Sequence, residues 1–140
     1  MNLPIEFEFD HVGIAVNSLE EGEKVYLAMG FAAGETETVE REKVIVRMFE
    51  LANHSRIELL EPTSPESEIA KFLAKKKPGI HHICLRVKDI QKSLKKLKSM
   101  GIRLIHEEPF TGAGGCKVAF IHPAGAGGVL IELSQPKGSR

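Results

Sequence analysis

The chain repeats itself once, and this internal repeat restricts the possible folds more than any other feature of the sequence. Residues 10–16 match residues 81–87 at an offset of 71, and the same offset pairs Gly30 with Gly101. Near the end of each half the offset becomes 74, so that residues 57–59 match residues 131–133. The sequence therefore predicts two copies of one structural unit.

Each half has the pattern of a strand, a helix and three further strands. In the first half, β-forming residues at 7–16 precede a Ser18-x-x-Glu21 capping box, and Gly30 follows the apolar face of the helix. In the second half, Asp89 is expected to cap the helix. Further strands are predicted near residues 31–38, 44–51, 55–61, 102–106, 116–121 and 129–134.

A segment between the halves is predicted to contain a short helix, with Ser64 as its N-cap and Pro65 at its first position. We therefore predict an α+β fold with two βαβββ modules related by the internal repeat. The modules cover about residues 6–62 and 79–136, a helical linker covers residues 63–78, and a single domain spans residues 1–140.

Charge and composition restrict the class of partner. Nineteen Lys and Arg residues balance nineteen Asp and Glu residues, whereas nucleic acids and membrane surfaces favour a basic excess. The start of the chain lacks the pattern of a signal peptide, and no apolar run approaches the ~18 residues of a membrane helix. We expect a cytoplasmic protein with no nucleic-acid or membrane partner.

Four polar residues interrupt strands that are otherwise apolar. A solvent-facing or internally bonded side chain is the ordinary explanation for one such residue. Here, however, a His and a Glu recur together in each half, and two imidazoles with two carboxylates suit a divalent ion of Co, Zn, Ni, Mn or Fe. His81 matches Asp10 in the repeat, so we expect it on the opposite face of its strand. The predicted metal ligands are His11, Glu58, His82 and Glu132.

The arrangement of these residues resembles the vicinal oxygen chelate superfamily, which includes glyoxalase I, methylmalonyl-CoA epimerases, extradiol dioxygenases and bleomycin-resistance proteins. The resemblance covers residues 10–135. It implies that the two modules form an incomplete barrel around a metal site, with ligands from the first and last strand of each module. It also implies an octahedral ion with two positions left for a substrate.

Within this superfamily, several segments are similar to methylmalonyl-CoA epimerases. This similarity implies a metal-dependent interconversion of (2R)- and (2S)-methylmalonyl-CoA, in which an α-proton is removed and returned through a metal-stabilised enolate. It implies Glu132 as the acid/base residue, Glu58 as its partner, and an acyl-CoA as the small-molecule substrate. Members of the family often form homodimers, so a homodimer is expected. The similar segments are residues 10–16, 57–62, 69–73, 79–83 and 122–133.

Some features of the sequence leave the activity open. Some epimerases carry a further base in the third strand of the first module, and that position falls near Arg47 here; a shifted alignment would place Glu50 or Glu42 there. A Glu at position 58 also fits a glyoxalase I-like lactoylglutathione lyase that acts on a glutathione hemithioacetal. A non-catalytic, bleomycin-resistance-like protein is the third alternative, although such proteins tend to lose the ligand set. Four ligands disfavour an extradiol dioxygenase, whose iron has three.

Contacts to a CoA thioester are less defined by the sequence. The side chains of residues 75–77 and Lys117 offer positive charge, and the backbone of residues 112–115 offers N–H donors. The sequence alone leaves open the physiological metal, the substrate-binding residues and the oligomeric state.

Overall fold

The computed structural model describes residues 7–32 and 34–138. These residues form eight strands and three helices. The elements are β1 (Glu8–Ala15), α1 (Leu19–Ala28), β2 (Thr36–Val39), β3 (Val44–Glu50), β4 (Arg56–Pro62), α2 (Glu68–Lys76), β5 (Gly79–Arg86), α3 (Ile90–Ser99), β6 (Phe110–Thr111), β7 (Lys117–Ile121) and β8 (Ile131–Gln135).

The chain divides into two compact units. Residues 11–82 form one unit, and the residues up to 10 together with those from 83 onward form the other. In the unit of residues 11–82, the strand order is β2-β3-β4-β1. Strand β1 is parallel to β4 and the other pairs are antiparallel, with Gly13 opposite Glu58. Of the four predicted metal ligands, this unit contains His11, Glu58 and His82.

The other unit repeats this arrangement with the order β5-β8-β7-β6. Strand β5 is parallel to β8, the other pairs are antiparallel, and Cys84 is opposite Glu132. Positions 13 and 84 differ by 71, and positions 58 and 132 differ by 74, which are the two offsets of the sequence repeat. The repeat is therefore present in the strand register as well as in the order of elements.

Helices α1 and α3 begin in the same way. The side chains of Ser18 and Asp89 each accept a hydrogen bond from the backbone amide three residues later. A second bond comes from the last strand of each half, because Oε1 of Glu61 and Oε1 of Gln135 accept from the first residue of the helix, at 2.8 and 2.9 Å. Two of the four free N–H groups at each helix start are satisfied by side chains.

The apolar cores also use equivalent positions. In the unit of residues 11–82, the buried cluster is Val16, Leu19, Phe49 and Leu59. Tyr26 adds a ring stacked on Phe49, with the ring centroids 5.0 Å apart. The cluster in the other unit includes the counterparts of three of these positions. Its members are Val87, Ile90, Leu94, Ala119, Ile121 and Leu133.

Two predicted elements differ in the structure. The linker helix α2 is capped by Ser67 and not by Ser64, whose hydroxyl accepts from the Glu66 amide in a turn before the helix. The strand predicted at residues 102–106 is reduced to one bridge between Leu104 and Ile121. Its ladder stops because Nδ1 of His106 accepts the amide hydrogen of Phe120 in place of a backbone carbonyl.

The remaining predicted strands are present within two or three residues of their expected ends, except β2, which begins five residues later than predicted. Among the described residues, no helix has the length and apolar character needed to cross a membrane.

Candidate metal centre

Three side chains of the unit of residues 11–82 meet at one point. Nε2 of His11 lies 3.3 Å from Nε2 of His82. Oε1 of Glu58 lies 3.3 Å from the His11 nitrogen and 3.4 Å from the His82 nitrogen. The three atoms form a nearly equilateral triangle. The first strand supplies His11, the last strand of the same half supplies Glu58, and β5 supplies His82.

The triangle fits a divalent transition metal. For an ion about 2.1 Å from each ligand atom, neighbouring ligand atoms lie about 3.0 Å apart in octahedral geometry and about 3.4 Å apart in tetrahedral geometry. The observed separations of 3.3–3.4 Å fall in that range. Two imidazole nitrogens and a carboxylate oxygen are also a donor set that Zn, Co, Ni, Mn and Fe accept. The residues present therefore fit a metal centre.

All three side chains are buried, which excludes a solvent-facing role. Their exposed fractions are 4% for His11, 5% for Glu58 and 3% for His82. Burial by itself would raise the pKa of Glu58. Hydrogen bonds to His11 and His82 and their charges outweigh the burial, so its pKa lies below the ordinary 4.5. Glu58 is therefore a carboxylate at neutral pH, the form that binds a cation.

Gly13 makes room for the His82 ring. A Cβ atom built on Gly13 would lie 2.5 Å from Nε2 and 2.6 Å from Nδ1 of His82, and closer still to Cε1. Those distances are far inside van der Waals contact, and the φ angle of Gly13 is not in the left-handed region. Glycine is therefore required here by the close approach of an imidazole, not by the backbone conformation.

His81 contacts the same ring at its Nδ1 atom. Nδ1 of His81 lies 2.9 Å from Nδ1 of His82, although the two residues are neighbours in a strand. The expectation that His81 lies on the opposite face of its strand stays a prediction, although its Nδ1 contacts the ring of His82. The ring of His81 also packs edge-on against Phe72 of α2, with centroids 5.1 Å apart.

Glu132 lies in the other unit, on β8. It is 9% exposed, one of few buried charged residues. Its Cα is opposite that of Cys84 on β5, just as Glu58 is opposite Gly13. Cys84 follows His82 by two residues in β5, and Gly13 follows His11 by two residues in β1. Within its own strand pair, Glu132 thus holds the position that Glu58 holds in the first half.

Arg47 does not lie where a third-strand base would be needed. The register of β3 and β4 places Arg47 opposite Leu59 and places Met48 opposite Glu58. Arg47 is therefore on the other face of the sheet, where its Nη1 contacts the carboxylate of Glu23 at 2.5 and 2.7 Å. The arginine binds helix α1 to the sheet.

Neither alternative carboxylate takes that position. Glu50 is the exposed last residue of β3 and pairs in register with Arg56. Glu42 lies in the turn before β3, with an oxygen 3.9 Å from Nε of Arg41. On the Glu58 face, β3 presents two buried valines, a half-buried methionine and an exposed glutamate at its end: Val44, Val46, Met48 and Glu50.

Comparison with known proteins identifies the family. A model of the Glyoxalase/Bleomycin resistance protein/Dioxygenase superfamily matches residues 10–120. The chain belongs to this superfamily.

Its relatives within the superfamily include methylmalonyl-CoA epimerases. The chain is 40% identical over 128 residues to a protein named mitochondrial methylmalonyl-CoA epimerase from Bos taurus, covering 90% of this chain and 73% of the relative. The crystal structure of methylmalonyl-CoA epimerase from Mycobacterium tuberculosis aligns with a TM-score of 0.86 at 36% identity, covering 91% of this chain and 87% of the other. A methylmalonyl-CoA epimerase in complex with methylmalonyl-CoA and NH4+ aligns with a TM-score of 0.89 at 32% identity, covering 97% and 99%.

These matches confirm two sequence predictions. The resemblance to the vicinal oxygen chelate superfamily is confirmed, and so is the similarity to its methylmalonyl-CoA epimerases. The α+β fold class is also confirmed, because solved superfamily structures align over nearly the whole chain. The single-domain assignment of residues 1–140 stays a prediction.

Sequence reasoning missed two residues of the centre. Gly13 interrupts a strand of β-forming residues, and an isolated glycine in such a strand is a recognised sign of a close approach. The isolated glycine therefore indicated a close approach, but the sequence did not indicate which side chain makes it. His81 gave no usable signal, because strand alternation assigns adjacent residues to opposite faces and ignores how far an imidazole reaches.

Proposed function

We propose that this protein is a metal-dependent epimerase that interconverts (2R)- and (2S)-methylmalonyl-CoA. The observation that carries the proposal is the buried triangle of His11, Glu58 and His82, with donor atoms 3.3–3.4 Å apart. Support for the substrate comes from the relatives, which include proteins named for this activity and one in complex with methylmalonyl-CoA.

The proposal includes Glu132 as the fourth ligand. Residues two apart in a strand share a face, so Cys84 and His82 lie on one face of β5. Because Glu132 is opposite Cys84 in the β5–β8 ladder, its side chain belongs to the same face as His82. Glu132 is also buried, and its carboxylate oxygens are donors that the same divalent ions accept.

The histidine and glutamate ligands have different roles in the proposed reaction. A divalent ion bound here would act as a Lewis acid toward a carbonyl oxygen of the substrate. His11 and His82 only bind the ion. The carboxylate of Glu132 removes the α-proton. Glu58 would first turn away from the ion and take up a proton from solvent, and it then returns that proton at the opposite face of the α-carbon. Because both imidazoles contact Glu58 Oε1, this step requires Glu58 to turn away from at least one of them.

Among the described residues of β3 that share a face with Glu58, only the exposed last residue of the strand carries a carboxylate. This supports the assignment of the proton exchange to Glu132 and Glu58. Val44 and Val46 are buried and cannot exchange protons, while Arg47 is held on the opposite face. A second acid on this strand is therefore not available beside Glu58. The two glutamates in equivalent positions of the repeat are the residues left to exchange the proton.

The test is loss of the α-proton of methylmalonyl-CoA in D2O, followed by NMR with cobalt-loaded protein. We expect rapid exchange in the wild type and in Glu50→Gln, which changes an exposed carboxylate at the end of β3. We expect no exchange in His82→Ala. Glu132→Gln should lose exchange while metal analysis reports its cobalt content separately from its activity.

No exchange above the protein-free rate with the wild type would refute the epimerase proposal. Turnover of a glutathione hemithioacetal by the same sample would instead establish the glyoxalase I-like lyase. Binding of a ligand without a divalent ion, unaffected by chelators, would establish the non-catalytic alternative.

A homodimer in the cytoplasm is the proposed state of the protein. Light scattering coupled to size-exclusion chromatography would measure the mass, and a value of one 15.4 kDa chain would refute the dimer.

A further inference from the structure

The contact between His81 and His82 restricts which ring nitrogen of each residue carries a proton. Their Nδ1 atoms lie 2.9 Å apart, a hydrogen-bond distance, so one nitrogen donates and the other accepts. A neutral imidazole carries its proton on one nitrogen only. The position of that proton therefore decides which nitrogen of His82 has a free lone pair.

Metal binding through Nε2 of His82 fixes the direction of this bond. Nε2 is the atom that lies within 3.3–3.4 Å of the other two ligand atoms, so it must be the unprotonated nitrogen. The proton of His82 is then on Nδ1 and is donated to Nδ1 of His81. His81 consequently carries its own proton on Nε2.

The surroundings hold His81 in position for this role. Its ring lies edge-on to Phe72 at an interplanar angle of 87° and at nearly a right angle to the ring of His82. Phe72 belongs to α2, the helix that follows the first half, so this helix contacts the residue beside the metal ligand His82. Gly13 lies against the ring of His82 and leaves it no freedom to turn on that side.

We propose that His81 is a positioning residue for the metal centre: its Nδ1 accepts a hydrogen bond from Nδ1 of His82 and thereby aims Nε2 of His82 at the ion. This rests on the proposed function only through the metal site, not through the substrate. Groups that orient a metal-bound histidine typically change metal affinity 10–100-fold when they are removed.

The test compares two variants of His81 with a matched histidine variant. His81→Phe keeps an aromatic ring beside Phe72 but cannot accept the bond, and His81→Asn supplies an amide oxygen that can. The control is His54→Asn, because His54 lies in an exposed turn at φ 66°, a conformation that Asn adopts readily. Zinc affinity is measured by isothermal titration calorimetry, and circular dichroism checks that each variant is folded.

We expect His81→Phe to bind zinc 10–100-fold more weakly, His81→Asn to recover most of the loss, and His54→Asn to match the wild type. Unchanged affinity in His81→Phe, or an equal loss in both His81 variants, would overturn the proposal, because neither result requires an accepting group. Rescue by Asn separates orientation from simple packing.

Imidazole 15N NMR of the wild type gives a second readout that needs no variant to fold. In the zinc-bound protein we expect a slowly exchanging hydrogen on Nδ1 of His82 and an unprotonated Nδ1 on His81. An unprotonated Nδ1 on His82 in the zinc-bound protein would overturn it, because His82 would then donate no hydrogen bond to His81. A wild type that binds no zinc would refute the metal site, whereas zinc binding without a hydrogen on Nδ1 of His82 would refute only the role of His81.

Discussion

Replacing Gly13 with alanine tests the geometry of the metal centre with a single methyl group. The added Cβ would lie 2.5 Å from Nε2 and 2.6 Å from Nδ1 of His82. To regain an ordinary carbon–nitrogen contact of about 3.5 Å, the ring must move by about 1 Å. The ring is 3% exposed and is contacted by His81 at Nδ1, so a movement of this size disturbs packed neighbours.

The size of the expected loss in zinc affinity follows from the small displacement that a metal ligand can tolerate. Ligand distances in metal sites vary by about ±0.2 Å, so a shift of about 1 Å removes His82 as a ligand. We therefore expect zinc affinity to fall at least about 100-fold, which is about 2.7 kcal/mol. The unfolding free energy of the metal-free protein should fall by about 1–3 kcal/mol, the usual cost of overpacking.

The assay is zinc titration by calorimetry, with denaturant unfolding of the metal-free protein beside it. Gly79→Ala is the matched control, because it adds the same methyl group three residues before His82, where nothing lies within 4 Å of the new Cβ. Wild-type zinc affinity in Gly13→Ala would refute the reasoning, since the centre would then tolerate a displaced ring. An equal loss in both alanine variants would show that the effect is general to glycine replacement.

Two further predictions concern charge. The pKa of Glu58 is lowered in the folded protein, so its carboxylate contributes stability above its unfolded value, and that contribution is lost as the pH falls through the lower, folded value. In metal-free protein, the difference in unfolding free energy between wild type and Glu58→Gln should therefore shrink below about pH 4; a difference that stays constant from pH 6 to pH 3 would contradict this. Glu23→Gln weakens the ion pair with Arg47, whose two side chains are 13% and 20% exposed, and should cost about 1–3 kcal/mol of unfolding free energy without changing zinc affinity. A change in zinc affinity in this variant would contradict the placement of Arg47 on the opposite face.

The sequence predicted the elements that depend on local signals or on the repeat. The caps of α1 and α3 at Ser18 and Asp89 are confirmed. The repeat predicted four ligands, His11, Glu58, His82 and Glu132, and the structure brings the first three together within one unit. The repeat is informative because it compares two copies of the same position. A polar residue that occurs at that position in both copies is stronger evidence for a site than one that occurs once.

The errors arose where a side chain replaced a backbone partner or reached beyond its own face. At His106 the imidazole takes the amide hydrogen that a strand carbonyl would have accepted, which no β-propensity describes. Ser64 and Ser67 are both good N-caps, and the choice between them depends on the burial of Ile69, a tertiary contact. The position of Arg47 depended on counting along β3, where an error of one residue changes the face.

The second hydrogen bond at each helix start has a consequence for the order of folding. The acceptors Glu61 and Gln135 lie 42 and 45 residues from the amides they bind. Each helix start therefore gains this second bond only when the last strand of its half has joined the sheet. Closure of such long loops is slow compared with helix formation, so the two helix starts become protected from hydrogen exchange only as each half finishes assembling.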